Sequence, residues 1–171
     1  MSTLWQACGH FLEQANDLAD RIEPARYQSP HVNCFGSSIG GHLRHCLEHF
    51  DLFRSGLEIG RIDYDARHRG TPEELDPRAA AVRLVDLRDW FSCQDASVDR
   101  EIEVRVDCGG EGEALWTRST VGRELQFLIS HTVHHFAIIG VMCHSQRIEL
   151  PPEFGVAPST LKYRSRMAAG V

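Results

Sequence analysis

His131 and His135 stand four residues apart in the segment Ser130-His131-Thr132-Val133-His134-His135-Phe136. In an α-helix that spacing is slightly more than one turn, so the two imidazoles lie one above the other and can point at one cation. The surrounding run, Leu125 to Met142, is rich in Leu, Ile, Phe and Val and reads as a buried helix. Imidazoles are costly to bury in such a helix unless something pairs with them, and a metal ion is such a partner.

A second cluster lies upstream, in Ser38 to Phe50. Spacings of three and four put His42, His45 and His49 on one stripe of another helix. That stripe borders an apolar sector of Leu43, Cys46, Leu47, Phe50 and Phe53, where a second helix would pack. Six of the ten histidines fall in these two segments. Neutral imidazole is a ligand for zinc, nickel, iron and copper. Two ligands from one helix and one from the other leave coordination positions for water or substrate, which is the catalytic rather than the structural arrangement. His10, His31, His68 and His144 stand alone and are read as hydrogen-bonded structural residues.

Other chemistries lack their residues. His-Glu-x-x-His fails because Thr132 follows His131, and neither Glu124 nor Glu48 has a histidine three residues on, as a di-iron carboxylate bundle requires. Gly40-Gly41 is not followed by the Lys-Ser/Thr of a phosphate loop, and no Gly-x-Ser-x-Gly elbow occurs. Cys8, Cys34, Cys46, Cys93, Cys108 and Cys143 form no Cys-x-x-Cys pair, which argues against a zinc ribbon and for free thiols in a reducing compartment. Cys46 and Cys143 fall on the two histidine helices and read as small buried hydrophobes.

A chain of 171 residues suits one domain with one core, and 42% hydrophobic with 25% charged residues is ordinary for a soluble protein. The net charge of −6 and the dilution of Arg61, Arg67 and Arg69 among acids argue against a nucleic-acid partner. Met1 to Leu12 has neither a basic start nor a long apolar stretch, so no signal peptide is expected. No apolar run approaches the ~20 residues of a membrane span. A cytoplasmic protein with no membrane partner is expected.

The elements that must position the histidines follow from periodicity. Leu4, Cys8, Phe11, Leu12, Ala15, Leu18, Ala19 and Ile22 give a first helix from about Thr3 to Glu23. Pro24 and Pro30 bound a loop. The second helix starts at Ser37 or Ser38, either able to cap it, and runs to about Leu57. Gly60 to Pro77 is a long polar connection of the length a crossover between helices needs. Asp76-Pro77 then opens a third helix, continued by Ala80, Leu84, Leu87 and Phe91 to about Cys93. Glu101 to Asp107 alternates, with Ile102, Val104 and Val106 on the buried side. Cys108 to Gly112 is a turn and Ala114 to Arg118 the returning strand. The fourth helix starts near Ser119 or Thr120, and the chain is irregular after His144. The expected fold is all-α: a four-helix bundle with a small β-hairpin inserted before the last helix, in a single domain over residues 1–171.

With its histidine-bearing second helix, the His-x-x-x-His of the fourth and the crossover before the third, the chain resembles the DinB-like (DinB/YfiT) superfamily from about Trp5 to Met142. The resemblance implies an up-down-down-up bundle, a homodimer, and a divalent metal held by three histidines. It also implies the activities of characterised members: thiol-dependent S-transferases using bacillithiol or mycothiol, a maleylpyruvate isomerase, and the metal-binding domain of ergothioneine-type sulfoxide synthases. Carried over by position, the metal ligands are His45, seven residues after Ser38, with His131 and His135. The cofactor is then a divalent ion (zinc, nickel or iron), and the partner a small-molecule substrate or low-molecular-weight thiol. The hairpin and the extra histidines His42, His49 and His134 depart from the family pattern, and they leave His49 as the alternative to His45. No catalytic residue is assigned. Glu124, two turns before His131, is either a hydrogen-bonding or acidic group near the site or a carboxylate favoured by the helix start. Arg44 and Arg123 either hold an anionic substrate or belong to a solvated face. Tyr64, Asp65 and Arg67 either cover the pocket mouth or form a surface loop.

Overall fold

The computed structural model describes residues 3–68, 70–109, 112 and 114–170. The chain is mostly helical with a small three-stranded sheet. Four long helices carry the core: α1 (Thr3–Arg21), α3 (Ile39–Ile59), α4 (Pro77–Ser92) and α5 (Val121–Ser145). Two short ones, α2 (Pro24–Gln28) and α6 (Pro158–Ala168), lie outside that set.

The long helices begin where their sequences supply a cap. Ser38 caps α3 by accepting from the Gly41 amide at 3.0 Å, and Asp76 caps α4 by accepting from the Arg78 amide at 2.9 Å. Thr120 caps α5 by accepting from the Arg123 amide at 3.2 Å. Each cap satisfies an amide that the first turn leaves without a helical partner, worth about 1 kcal/mol. α3 stops at Gly60, whose positive φ of 77° is the left-handed turn that glycine adopts without strain.

The apolar faces meet in one cluster. Trp5 of α1, Phe50 and Phe53 of α3 and Phe91 of α4 are almost fully buried. The Phe91 ring lies 5.6 Å from Trp5, 5.2 Å from Phe50 and 5.8 Å from Phe53. Such aromatic pairs add about 0.5–1.5 kcal/mol each beyond the area they bury. Phe11 of α1 meets Phe136 of α5 edge-on at 5.9 Å, which ties α5 to the same core.

The sheet has the order β1-β2-β3. β2 (Glu101–Arg105) and β3 (Trp116–Thr120) pair antiparallel, from Glu101 opposite Thr120 to Arg105 opposite Trp116. The returning strand therefore lies two residues later than its expected Ala114 to Arg118, because pairing continues up to the residue that caps α5. Ile102 and Val104 are buried as the alternation predicts, whereas Val106 lies beyond the strand and is exposed. Of the expected turn, Gly110 and Glu111 lie outside the described residues, as does Arg69 of the crossover.

Three elements were not expected. β1 (Arg61–Asp63), within the polar connection, pairs parallel with β2 and buries Ile62 completely. α2 replaces part of the loop between Pro24 and Pro30; its Tyr27 is buried and donates its hydroxyl to the Glu73 carbonyl at 2.6 Å. α6 follows the irregular stretch after His144 and buries none of its residues. Between α5 and α6 the chain folds back along α5. The Phe154 ring stacks on Phe136 at 4.7 Å, and the Gly155 amide donates to Gln14 Oε1 at 3.0 Å.

By length and composition, α5 qualifies as a membrane span, where the sequence led us to expect no apolar run approaching that length. Its buried residues, among them Leu125, Leu128, Phe136 and Ile139, belong to the common core.

Gly40 sits where α2, α3 and the turn at Pro72–Glu74 converge. A Cβ there would lie 2.2 Å from the Glu74 carbonyl oxygen and 2.5 Å from the Tyr27 ring. The helix-propensity gain of alanine is about 1 kcal/mol and cannot offset a backbone clash. Gly40→Ala is expected to destabilise by about 1–3 kcal/mol and lower Tm by about 2–10 °C. A thermal melt indistinguishable from the unaltered protein would show that the turn yields freely.

Candidate metal centre

The histidine stripe of α3 faces the histidine stripe of α5. The structure brings together His45, His131 and His135, with one ring nitrogen from each within 4.8 Å of the others. His45 Nε2 and His131 Nε2 are 3.2 Å apart. Ligand nitrogens at ~2.0–2.1 Å from a zinc-like ion sit about 3.0–3.4 Å from one another, so this pair already has coordination spacing. The His135 ring lies 4.7 Å from that of His45 and 4.5 Å from that of His131.

All three imidazoles are held neutral. Burial pushes His131 down to about 2, His45 to about 3 and His135 to about 4. Neighbouring imidazoles add to each shift, and at His45 the guanidiniums of Arg67 and Arg44 do so as well. Neutral imidazole is the form that ligates a metal. The central ring, His131, also lacks what anchors a structural histidine. His10 meets Gln14 at 2.8 Å and His31 meets Ser145 at 2.7 Å, as expected of isolated histidines. Among the described residues His131, by contrast, has a buried Nδ1 without a hydrogen-bond partner, and its Nε2 faces only another imidazole.

The remaining histidines of the two clusters surround the three. His49 donates from Nδ1 to the His45 carbonyl at 2.9 Å and lies flat against His131, ring centres 4.0 Å apart. Tyr64 stacks on the other face of this layer, 5.4 Å from His49. Of the two alternatives on α3, His45 is the one whose ring nitrogen joins the group, and His49 forms its wall. His42 Nδ1 meets His135 Nδ1 at 2.8 Å, so one ring donates and the other accepts. That contact leaves the other nitrogen of His135 for a cation, the arrangement by which an outer partner fixes a ligand's tautomer. His134 is exposed beside His135.

Glu124 is not part of the group. It is buried in the first turn of α5 and accepts from the Ser119 hydroxyl at 2.6 Å. Burial, reinforced by the facing Glu124 carboxylate, pushes the Tyr64 phenol up. Arg44 is committed to Glu48 and, at 3.2 Å, to Glu74, and Arg123 is exposed. The crossover residues divide. Tyr64 is buried in the wall, whereas Arg67 brings Nη1 to 3.5 Å from His45 Nδ1. The role of Tyr64 escaped the sequence reading because β1 did; the alternation of Ile62 and Tyr64 with Asp63 and Asp65 was the signal. Burial raises the thiol of Cys46, and that of Cys143 to about 11, in keeping with their reading as inert small hydrophobes.

No family model matches the chain, and no solved structure matches it. FK506-binding protein 5 of Rhizopus delemar (strain RA 99-880 / ATCC MYA-4621 / FGSC 9543 / NRRL 43880) is 28% identical over 106 residues, which cover 60% of this chain. The match spans 27% of the length of that relative.

The depressed imidazoles tie stability to pH. Free histidine titrates near 6.5, while these three titrate at about 2 to 4 in the fold. Below the free value the unfolded chain therefore binds more protons than the folded one, and stability falls as pH drops toward the folded values. Metal-free protein should keep its highest Tm above about pH 7 and lose several degrees by about pH 5. The loss should shrink in His131→Phe. A Tm unchanged between about pH 7.5 and about pH 5 would show that the imidazoles are not held neutral.

Proposed function

We propose that this chain is a metal-dependent enzyme of the thiol S-transferase type, binding one divalent ion through His45, His131 and His135. The observation that carries this reading is the convergence of three neutral imidazoles from two facing helices, two of them already at coordination spacing. The four long helices are read as an up-down-down-up bundle of the DinB-like kind, in a single domain over residues 1–171, with the sheet packed before α5. The ion, zinc, nickel or iron by the ligand set, would supply a Lewis acid that favours the deprotonated form of a bound thiol or water. The chain's own residues do the rest. His42 orients His135, and the flat stack of His49 and Tyr64 keeps water from one side of the site. Arg67 brings a positive charge to the edge of His45. The partners are a small-molecule substrate or low-molecular-weight thiol and a second copy of the chain, in a cytoplasmic setting.

Elemental analysis and calorimetric titration with zinc, nickel and ferrous iron test the site. One equivalent per chain is expected, abolished by His131→Ala or His135→Ala and lowered more by His45→Ala than by His49→Ala. His42→Ala should weaken binding about 10- to 100-fold. Full occupancy in a His131→Ala, His135→Ala double variant would sink the metal reading. Turnover of an electrophile with a panel of thiols then tests catalysis; a loaded protein inert toward every thiol would leave a binding module without the transferase.

For the assembly, light scattering is expected to report a dimer. A monomer at micromolar concentration would remove that claim.

A further inference from the structure

Beside the histidines, between α3 and the chain that follows β1, lies an open cleft of about 400 Å³. Its volume matches that of roughly 13 water molecules at ~30 Å³ each, so it holds a ligand of about a dozen non-hydrogen atoms. Leu47, Leu52 and Ala66 give it an apolar floor.

The charged groups around this floor are not equally engaged. Arg83, from α4, is held by Asp51 and by Asp86 at 2.8 Å, and Arg44 is held by Glu48 and Glu74. Among the described residues Arg67 has only long contacts, 3.7 Å to Asp65 and 3.5 Å to His45 Nδ1. Glu48 is 9% exposed; one carboxylate oxygen takes Arg44, and the other, Oε1, is buried without a hydrogen-bond partner among the described residues. Arg67 and Glu48 line the same cleft, yet among the described residues no ion pair joins them. Asp51, which holds Arg83, and Glu73 are the other two carboxylates of the lining.

We propose that this cleft binds a small zwitterion of the α-amino-acid type. Its carboxylate would take the Arg67 guanidinium in the two-point geometry that a guanidinium favours. Its ammonium would supply the donor that Glu48 Oε1 lacks. Its apolar side chain would cover Leu47, Leu52 and Ala66. A simple anion satisfies Arg67 but faces Glu48 and Glu73, and a simple amine leaves Arg67 on its long contacts. Only a ligand carrying both charges answers both groups. The site does not depend on a bound metal, because none of its contacts is one of the three clustered histidines.

Calorimetry on the full chain tests this with three matched probes: L-leucine, 4-methylpentanoate, which lacks the ammonium, and 3-methylbutylamine, which lacks the carboxylate. L-leucine is expected to bind about ten-fold or more tighter than either half-ligand. Arg67→Gln should weaken L-leucine by about the same factor, at unchanged Tm, and bring it level with the amine. Glu48→Gln should bring it level with the carboxylate. Glu48→Gln also strips Arg44 of an ion pair, so the three-probe series on the unaltered chain decides the matter if that variant does not fold. Equal binding of L-leucine and 4-methylpentanoate, undiminished binding in Arg67→Gln, or no binding of L-leucine at tens of millimolar would overturn the proposal.

Discussion

The contact between α3 and α5 rests on imidazoles that must stay uncharged. His42, His45 and His49 from one helix meet His131 and His135 from the other. If even two of these rings were protonated, like charges would face each other at hydrogen-bond distance in a partly desolvated seam. The helices approach closely only because burial suppresses protonation, and the rings are desolvated only because the helices approach. Folding and ligand competence thus share one condition, the neutral state of the rings. A fold that buries them neutral delivers the electron pairs that a cation requires, without a separate device to deprotonate them.

The rest of the architecture holds that seam in place. The caps at Ser38 and Thr120 fix where α3 and α5 begin, and so fix which face each histidine occupies. β1, paired with β2, carries the chain away from the C-terminal end of α3, and Tyr64 directly after it lies against His49. The aromatic cluster of Trp5, Phe50, Phe53 and Phe91 fills the space along the adjoining face of α3. The helix is therefore supported along the flank that borders its polar stripe.

Much of this was legible in the residues. The spacing of three and four among the histidines names the facing stripes, and Asp76 announces one helix start, while two others are narrowed to Ser37 or Ser38 and to Ser119 or Thr120. What was not legible depends on partners distant in sequence. Arg61 to Asp63 is too short to read as a strand by itself and becomes one only because β2 lies alongside it. α6 buries no face, so its sequence carries no apolar period for a reader to detect. Glu124 lies on the histidine side by helical arithmetic, but Ser119, from the strand before the cap, claims it. Arg67 read as either a cover of the pocket mouth or a surface loop; the return of the crossover over α3 brings it to His45.

The stacking of Phe154 on Phe136 has a mechanical meaning for the histidines beside it. Phe136 follows His135 directly, so the clasp formed by Phe154 and Gly155 grips α5 next to the imidazoles but on a different face. A ring nitrogen some 6 Å from the helix axis travels about 2 Å for a rotation of about 20°. That is about ten times the ~0.2 Å tolerance of a metal–ligand bond. Torsional play in α5 would therefore be enough to dismantle the cluster with every side chain intact. The segment after the last long helix contributes no histidine to the cluster, yet it acts as a torque stop for the helix that does.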